Sequence, residues 1–117
     1  MQREPATETK IIRVLSGRLW DVLVDLRPHS PSFKQWLGIE LSASERQILV
    51  IPPGCAHGFL TLEPNTEIMY LVDRPYSPEH EVILRWDDPS LNIEWPHSPL
   101  VISPKDRDAP DVNWQSL

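Results

Sequence analysis

Proton chemistry in this chain has few candidate side chains. Histidine comes first, because its imidazole changes charge near neutral pH. There are four: His29, His57, His80 and His97. His57 stands in Ile51-Pro52-Pro53-Gly54-Cys55-Ala56-His57-Gly58-Phe59, where two prolines and a glycine set a tight turn and an apolar run follows. That places an imidazole at the mouth of a strand. On residue type it reads as a hydrogen-bonded structural histidine; the other reading is a ring facing a barrel interior. Tyr70, in Ile68-Met69-Tyr70-Leu71, shares a strand face with Ile68 and Val72. A phenol there is either a core aromatic or a proton donor in a pocket. Lys10 opens an apolar run and, alone, reads as a solvated strand end. Asp106 follows Ser103-Pro104-Lys105 and reads as an acidic charge in the first turn of a short helix.

No metal and no cofactor are expected. Pro52-x-Gly54-x-x-His57 is similar to the second motif of cupins. A metal-binding cupin also needs a His-x-His and a glutamate from an earlier strand pair, and Gly17 to Asp25 contains no histidine. A zinc or iron centre needs about three converging protein ligands. The single cysteine, Cys55, excludes an intramolecular disulfide and a Cys-rich zinc module.

The charge balance narrows the partners. With 11 basic and 17 acidic residues, the net charge of -6 offers no long-range attraction to nucleic acid or to an anionic membrane. It leaves room for a local pocket that takes a phosphorylated small molecule. Five tryptophans are many for this length, but a base-stacking platform comes with a basic groove. Trp86, Trp95 and Trp114 therefore read as cover for the outside of a barrel or as an interface. No apolar stretch approaches the ~20 residues of a membrane helix, and no secretory leader is read at the N-terminus, so a cytoplasmic protein is expected.

The elements that must position these side chains are short. Thirteen prolines spread from Pro5 to Pro110 interrupt every long helix. Lys10–Leu15 and Arg18–Leu26, separated by Ser16-Gly17, are expected to pair as a hairpin. In the second of these, Trp20, Val22, Val24 and Leu26 fall on one face and Asp21 and Asp25 on the other, the pattern of a half-buried strand. Further strands are expected at Phe33–Leu41, Gln47–Ile51, Phe59–Leu62 and Glu67–Val72, with Val82–Trp86 a candidate seventh. Ser103 and Pro104 begin a helix with room for a turn or two. The chain reads as one all-β domain over residues 1–117, a sandwich or small barrel with fewer strands than the ~8 of a jelly roll.

Several segments carry a wider resemblance. They are Lys10-Ile11-Ile12-Arg13-Val14, Gly17 to Arg27, Ser30 to Trp36, Glu40-Leu41-Ser42-Ala43, Ile51 to Phe59, Tyr76-Ser77-Pro78-Glu79, Arg85 to Pro89 and Ser103-Pro104-Lys105-Asp106-Arg107. In this order and spacing, from Gln2 to about Pro110, the chain resembles the dTDP-4-dehydrorhamnose 3,5-epimerase family of sugar-nucleotide cupins. The resemblance implies a metal-free cupin jelly roll, here incomplete at its N-terminus, with a short C-terminal helical segment, and usually a homodimer. It implies a dTDP-sugar ligand, dTDP-4-dehydro-6-deoxy-glucose, epimerised at C3 and C5 by proton abstraction beside the ketone and reprotonation, on the way to dTDP-rhamnose. Residue by residue, Tyr70 matches the proton donor and Asp106 the aspartate that orients the catalytic histidine. Lys10 matches a lysine near the developing oxyanion, His57 a substrate-binding histidine and Tyr76 the tyrosine that stacks on thymine. Glu81 and Lys105 match further substrate contacts. Cys55 and Pro75 replace common family aromatics. The family's base histidine aligns with the position just before Met1, so the resemblance places it outside this chain. Two functions stay open: an epimerase weakened by that loss, or a sugar-nucleotide-binding or dimerisation module without turnover.

Overall fold

The computed structural model describes residues 1–117. Six strands form in chain order: β1 (Lys10–Ser16), β2 (Arg18–Asp25), β3 (Trp36–Ser42), β4 (Leu49–Ile51), β5 (Cys55–Thr61) and β6 (Glu67–Val72). They make two three-stranded antiparallel sheets, ordered β4-β1-β6 and β3-β2-β5. Ile12 and Val14 of β1, Ile51 of β4, Leu19 of β2 and Leu41 of β3 meet in one buried cluster, so the two sheets face each other as a sandwich. The all-β architecture expected from the sequence is present, as an open sandwich rather than a closed barrel.

The expected hairpin does not form. β1 pairs with β4 and β6, whereas β2 pairs with β3 and β5. The one-residue link, Gly17, is a corner between sheets: it has φ +79°, and a Cβ there would lie 2.5 Å from Thr66 Oγ1. Short separation suggested pairing, but the left-handed turn sends β2 across the core.

The expected half-buried character of β2 is also corrected, because both of its faces are covered. Leu19, Asp21, Leu23 and Asp25 look into the sandwich, and Asp21 is fully buried. Trp20, Val22 and Val24 look outward, under the C-terminal third of the chain. That segment has only a 3-10 turn at Pro78–His80, the helix α1 (Pro104–Arg107) and a 3-10 turn at Trp114–Ser116. Its Leu91 packs with Val24, Leu26 and Ala56 in a second core. Its Trp95 stacks edge-on against Trp20 at 5.2 Å and against Trp86 at 6.4 Å. Gly38 of β3 makes room for the Trp20 indole, since a Cβ at that position would stand 2.1 Å from the ring.

Val82–Trp86 is not a strand: the only pairing nearby is the single bridge between Gln2 and Glu81. The strand expected from Phe33 begins at Trp36, because Phe33 to Gln35 turn, with Lys34 at φ 69° and its N–H donating to Asp25 O at 2.8 Å. The helix start at Ser103 forms as read, its Oγ accepting from Asp106 N at 3.3 Å.

The loop after β2 is anchored by Asp25. Its carboxylate accepts two hydrogen bonds from the Arg27 guanidinium, both 2.9 Å, and others from the Ser30 and Ser32 hydroxyls. The Arg27 pairing, joined by the hydroxyls against the cost of burial, holds this carboxyl far below the usual range. A depressed folded pKa means the stabilisation is complete above the unfolded value near ~4 and is lost as pH falls toward the folded value. Asp25→Asn should therefore cost about 2 kcal/mol at pH 7 and flatten the fall of the urea midpoint between pH 4 and 2. An unchanged acid limb in the variant would show that Asp25 does not anchor the loop. Gly38→Ala should lower stability by about 1–3 kcal/mol through the Trp20 clash, read as a lower thermal midpoint.

Candidate functional site

β5 is an edge strand, and a cleft of about 600 Å³ runs along its free edge. Every residue from Ala56 to Leu60 lines it, from both faces of the strand, and Glu81 to Trp86 form the facing wall. Into this space come Lys10 from β1, His57 from β5, Glu81 from the segment after β6, and Lys105 and Asp106 from α1. These five residues are separated by up to 96 positions in sequence and meet only in the fold.

Local chemistry explains each placement. Lys10 belongs to the inward row of β1 with Ile12, and its Nζ lies 3.3 Å from Glu8 Oε1. His57 sits opposite Leu23 in the β2–β5 ladder. Its Nδ1 is 3.4 Å from Asp21 Oδ2. The wall at 81–86 is held by the N-terminal segment: Val82 N–H donates to Met1 O at 2.8 Å, and Arg3 N–H donates to His80 O at 2.8 Å. The buried Gln2 side chain donates to Ala6 O and Pro75 O and accepts from Ser77 N. This fixes the turn that carries Tyr76.

Charge at the mouth is organised around Glu81. Lys105 Nζ donates to its Oε1 at 2.7 Å and the Tyr76 hydroxyl to its Oε2 at 2.9 Å, with the Lys105 ammonium 5.9 Å from the Tyr76 ring centroid. Lys105, and then Tyr76, hold the Glu81 carboxyl below its ordinary value despite some desolvation, and the lysine is held above its own. Tyr76 is 66% exposed, standing outside the cleft wall with its hydroxyl on Glu81. Tyr70 is also outside the wall: opposite Ile12 on the inward face of β6, diagonal to Lys10, and 64% exposed. Asp106 lines the cleft and makes no side-chain hydrogen bond. Of the histidines, only His57 lines the cleft; His80 Nδ1 is bonded to Ser77 Oγ at 2.7 Å. No three histidine, cysteine or carboxylate side chains converge as a metal-ligand set.

Sequence reading passed over Asp21. Period 2 put it opposite the apolar row, which implied solvent. Leu19 and Leu23 flank it on its own face, and that second apolar row was the signal that the face is interior. The arrangement can hold an anionic group at Lys10 and Lys105, offer the His57 imidazole to a neighbouring polar atom, and seat a flat apolar ring near Tyr76.

Comparison with known proteins bears on these residues. The family model described as dTDP-4-dehydrorhamnose 3,5-epimerase matches residues 1–113. A dTDP-4-dehydrorhamnose 3,5-epimerase of Sinorhizobium fredii is 44% identical over 112 residues, covering 95% of this chain and 57% of the relative. The crystal structure of the Bacillus anthracis enzyme of that name, with TDP and PPi bound, superimposes with a TM-score of 0.90 at 47% identity, covering 95% of this chain and 63% of that one. A Legionella pneumophila dTDP-6-deoxy-D-glucose-3,5-epimerase in complex with dTDP-4-keto-L-rhamnose does so with a TM-score of 0.82 at 39% identity, covering 90% and 56%. The chain thus spans a little over half the length of the relatives it matches.

In Lys105→Ala, the Glu81 carboxyl should titrate higher than in the parent, followed by carbon-13 NMR of the side-chain carboxyl. An unmoved titration would show that the Glu81–Lys105 pair does not form in solution.

Proposed function

The chain belongs to the dTDP-4-dehydrorhamnose 3,5-epimerase family, and from that premise we propose that its cleft binds a dTDP-linked 4-keto-6-deoxy sugar and serves proton exchange at the carbons beside the ketone. The observation that carries this reading is the convergence of Lys10, His57, Glu81, Lys105 and Asp106 on one cleft. Abstracting a proton beside a ketone puts negative charge on the ketone oxygen, and cationic or hydrogen-bonding groups aimed at that oxygen lower the barrier. Lys10 and His57 take that role. Tyr70, one row from Lys10 on the inward face, returns a proton from its phenol. Tyr76 stacks on the thymine, with Glu81 fixing its hydroxyl and Lys105 completing the nucleotide end.

The base is the open part of this scheme. Asp106 is assigned to orient a histidine, yet its carboxylate bonds no side chain here, and His57 already has Asp21. That observation favours a second reading for the 117 residues alone: binding of the sugar nucleotide with turnover depressed about 10²–10⁴-fold, the usual worth of a positioned base. We place the protein in the cytoplasm, as a homodimer. The row Val50–Ile11–Leu71, in register across the outer face of the β4-β1-β6 sheet and exposed at 56%, 38% and 55%, supports a subunit contact there.

In deuterium oxide, the chain should bind dTDP by calorimetry and incorporate deuterium at C3 and C5 of dTDP-4-dehydro-6-deoxy-glucose slowly. Lys10→Ala should lower that rate by about 10²-fold or more. Absence of heat with millimolar dTDP would contradict the binding assignment. Incorporation unaffected by Lys10→Ala would contradict the catalytic one.

A further inference from the structure

Asp21 is the most buried charged side chain in the molecule, with no exposed surface at all. It lies on the inward face of β2 between Leu19 and Leu23, opposite Ile39 of β3 and Phe59 of β5. Its surroundings supply one polar contact. Oδ2 is 3.4 Å from His57 Nδ1, and Oδ1 has no hydrogen-bond partner. A half-satisfied carboxylate in an apolar interior destabilises the fold, and an apolar side chain in its place would not carry that cost. Its retention among Leu19, Leu23 and Ile39 is therefore not explained by packing.

The ladder register explains what the carboxylate reaches. Asp21 faces Phe59, and His57 is the next inward residue along β5, so the carboxylate addresses the imidazole diagonally, from beneath the cleft floor. With Nδ1 turned to Asp21, the other ring nitrogen, Nε2, is the one left for the cleft; it makes no hydrogen bond within the chain. We propose that Asp21 is a positioning residue: it keeps the His57 proton on Nδ1 and so presents a bare Nε2 to whatever occupies the cleft. The assignment of His57 to the sugar nucleotide rests on the function proposed above; the tautomer does not.

The groups that act on Asp21 are consistent with this role. Burial pushes its carboxyl up, while His57 from β5 and, at longer range, Lys10 from β1 pull it down. β3 offers only apolar neighbours on that side. The two side chains that favour the ionised form of Asp21 thus both line the cleft. When Nε2 takes up a proton, the resulting imidazolium already has its counter-ion in place, with no reorganisation of water, and its new N–H can then donate a hydrogen bond to a developing oxyanion. Asp21 touches neither ligand nor reacting atom and acts through His57.

Nitrogen-15 NMR of the His57 ring in the neutral state tests this directly on the 117-residue chain without ligand. The parent should show the Nδ1–H tautomer as the main form. Asp21→Leu removes the acceptor while keeping the branched shape of the side chain, and should shift the ring mainly to Nε2–H, because a buried Nδ1–H would then have no partner. Asp21→Asn, closest in shape, serves as the second variant and should reduce the Nδ1–H share. In the deuterium-incorporation assay, either variant should lose about tenfold or more in rate, with the dTDP dissociation constant within about twofold of the parent. An Nε2–H ring in the parent, or the same tautomer in parent and variants, would overturn the proposal. If the parent shows no incorporation, the catalytic reading of the cleft fails while the tautomer measurement still decides the role of Asp21.

Discussion

The structure depends on the burial of both faces of β2. Its inward row contributes Leu19 to the core between the sheets, and its outward row puts Trp20, Val22 and Val24 beneath residues of the C-terminal third. A strand in an antiparallel sheet can leave one face to water. This one cannot, since Trp20 and Val24 would otherwise expose a broad apolar surface. The C-terminal segment has almost no regular structure of its own, yet it is fastened as cover. Leu91 and Ile93 pack onto the outward face, Trp95 abuts Trp20, and the buried Asp88 carboxylate accepts from Ser90 N and Val112 N at 2.8 and 2.7 Å. Because that segment must pass over β2 and around β5, it brings Glu81, Lys105 and Asp106 to the same edge that displays His57.

Electrostatics divides along the same line. Asp25 and Asp88 are buried carboxylates fully occupied with holding loops, and hydrogen bonds keep both below the ordinary range in spite of burial. Asp21 is buried just as deeply but is left with an unpaired oxygen, and there burial prevails. The contrast separates groups that serve the fold from one that serves a neighbour. At the exposed end of the cleft, the ion pair of Glu81 and Lys105 costs little to open, being solvated, and so can give way to a ligand's own charges.

Much of this was legible in the sequence, and the parts that were not share a cause. Strand positions followed from period 2 and from proline and glycine punctuation. Ser103-Pro104 announced the short helix, and the ordered motifs from Lys10 to Arg107 announced the family. What local pattern could not supply was which strands share a sheet. Gly17 reads equally as a hairpin turn or as a corner, and only the approach of Thr66 decides. The same limit hid Asp21, whose exposure depends on what lies across the sandwich rather than on its own strand. Val82–Trp86 has strand-like residues but no neighbour to pair with beyond the bridge at Glu81, so composition alone overstated it. Five of the seven residues assigned through the resemblance share the cleft; Tyr70, on the inward face of β6, and Tyr76, on the turn after it, stand outside its wall and are largely exposed.

We propose the edge of β5, walled by the segment after β6 and by α1, as the place where a sugar nucleotide sits. Titrating dTDP into nitrogen-15-labelled protein and mapping amide shift changes tests it most directly. Changes should concentrate at Ala56 to Leu60, Glu81 to Trp86 and Ser103 to Asp106, with the outer face of the β4-β1-β6 sheet silent. Changes confined to that outer face, or scattered without saturation, would contradict it.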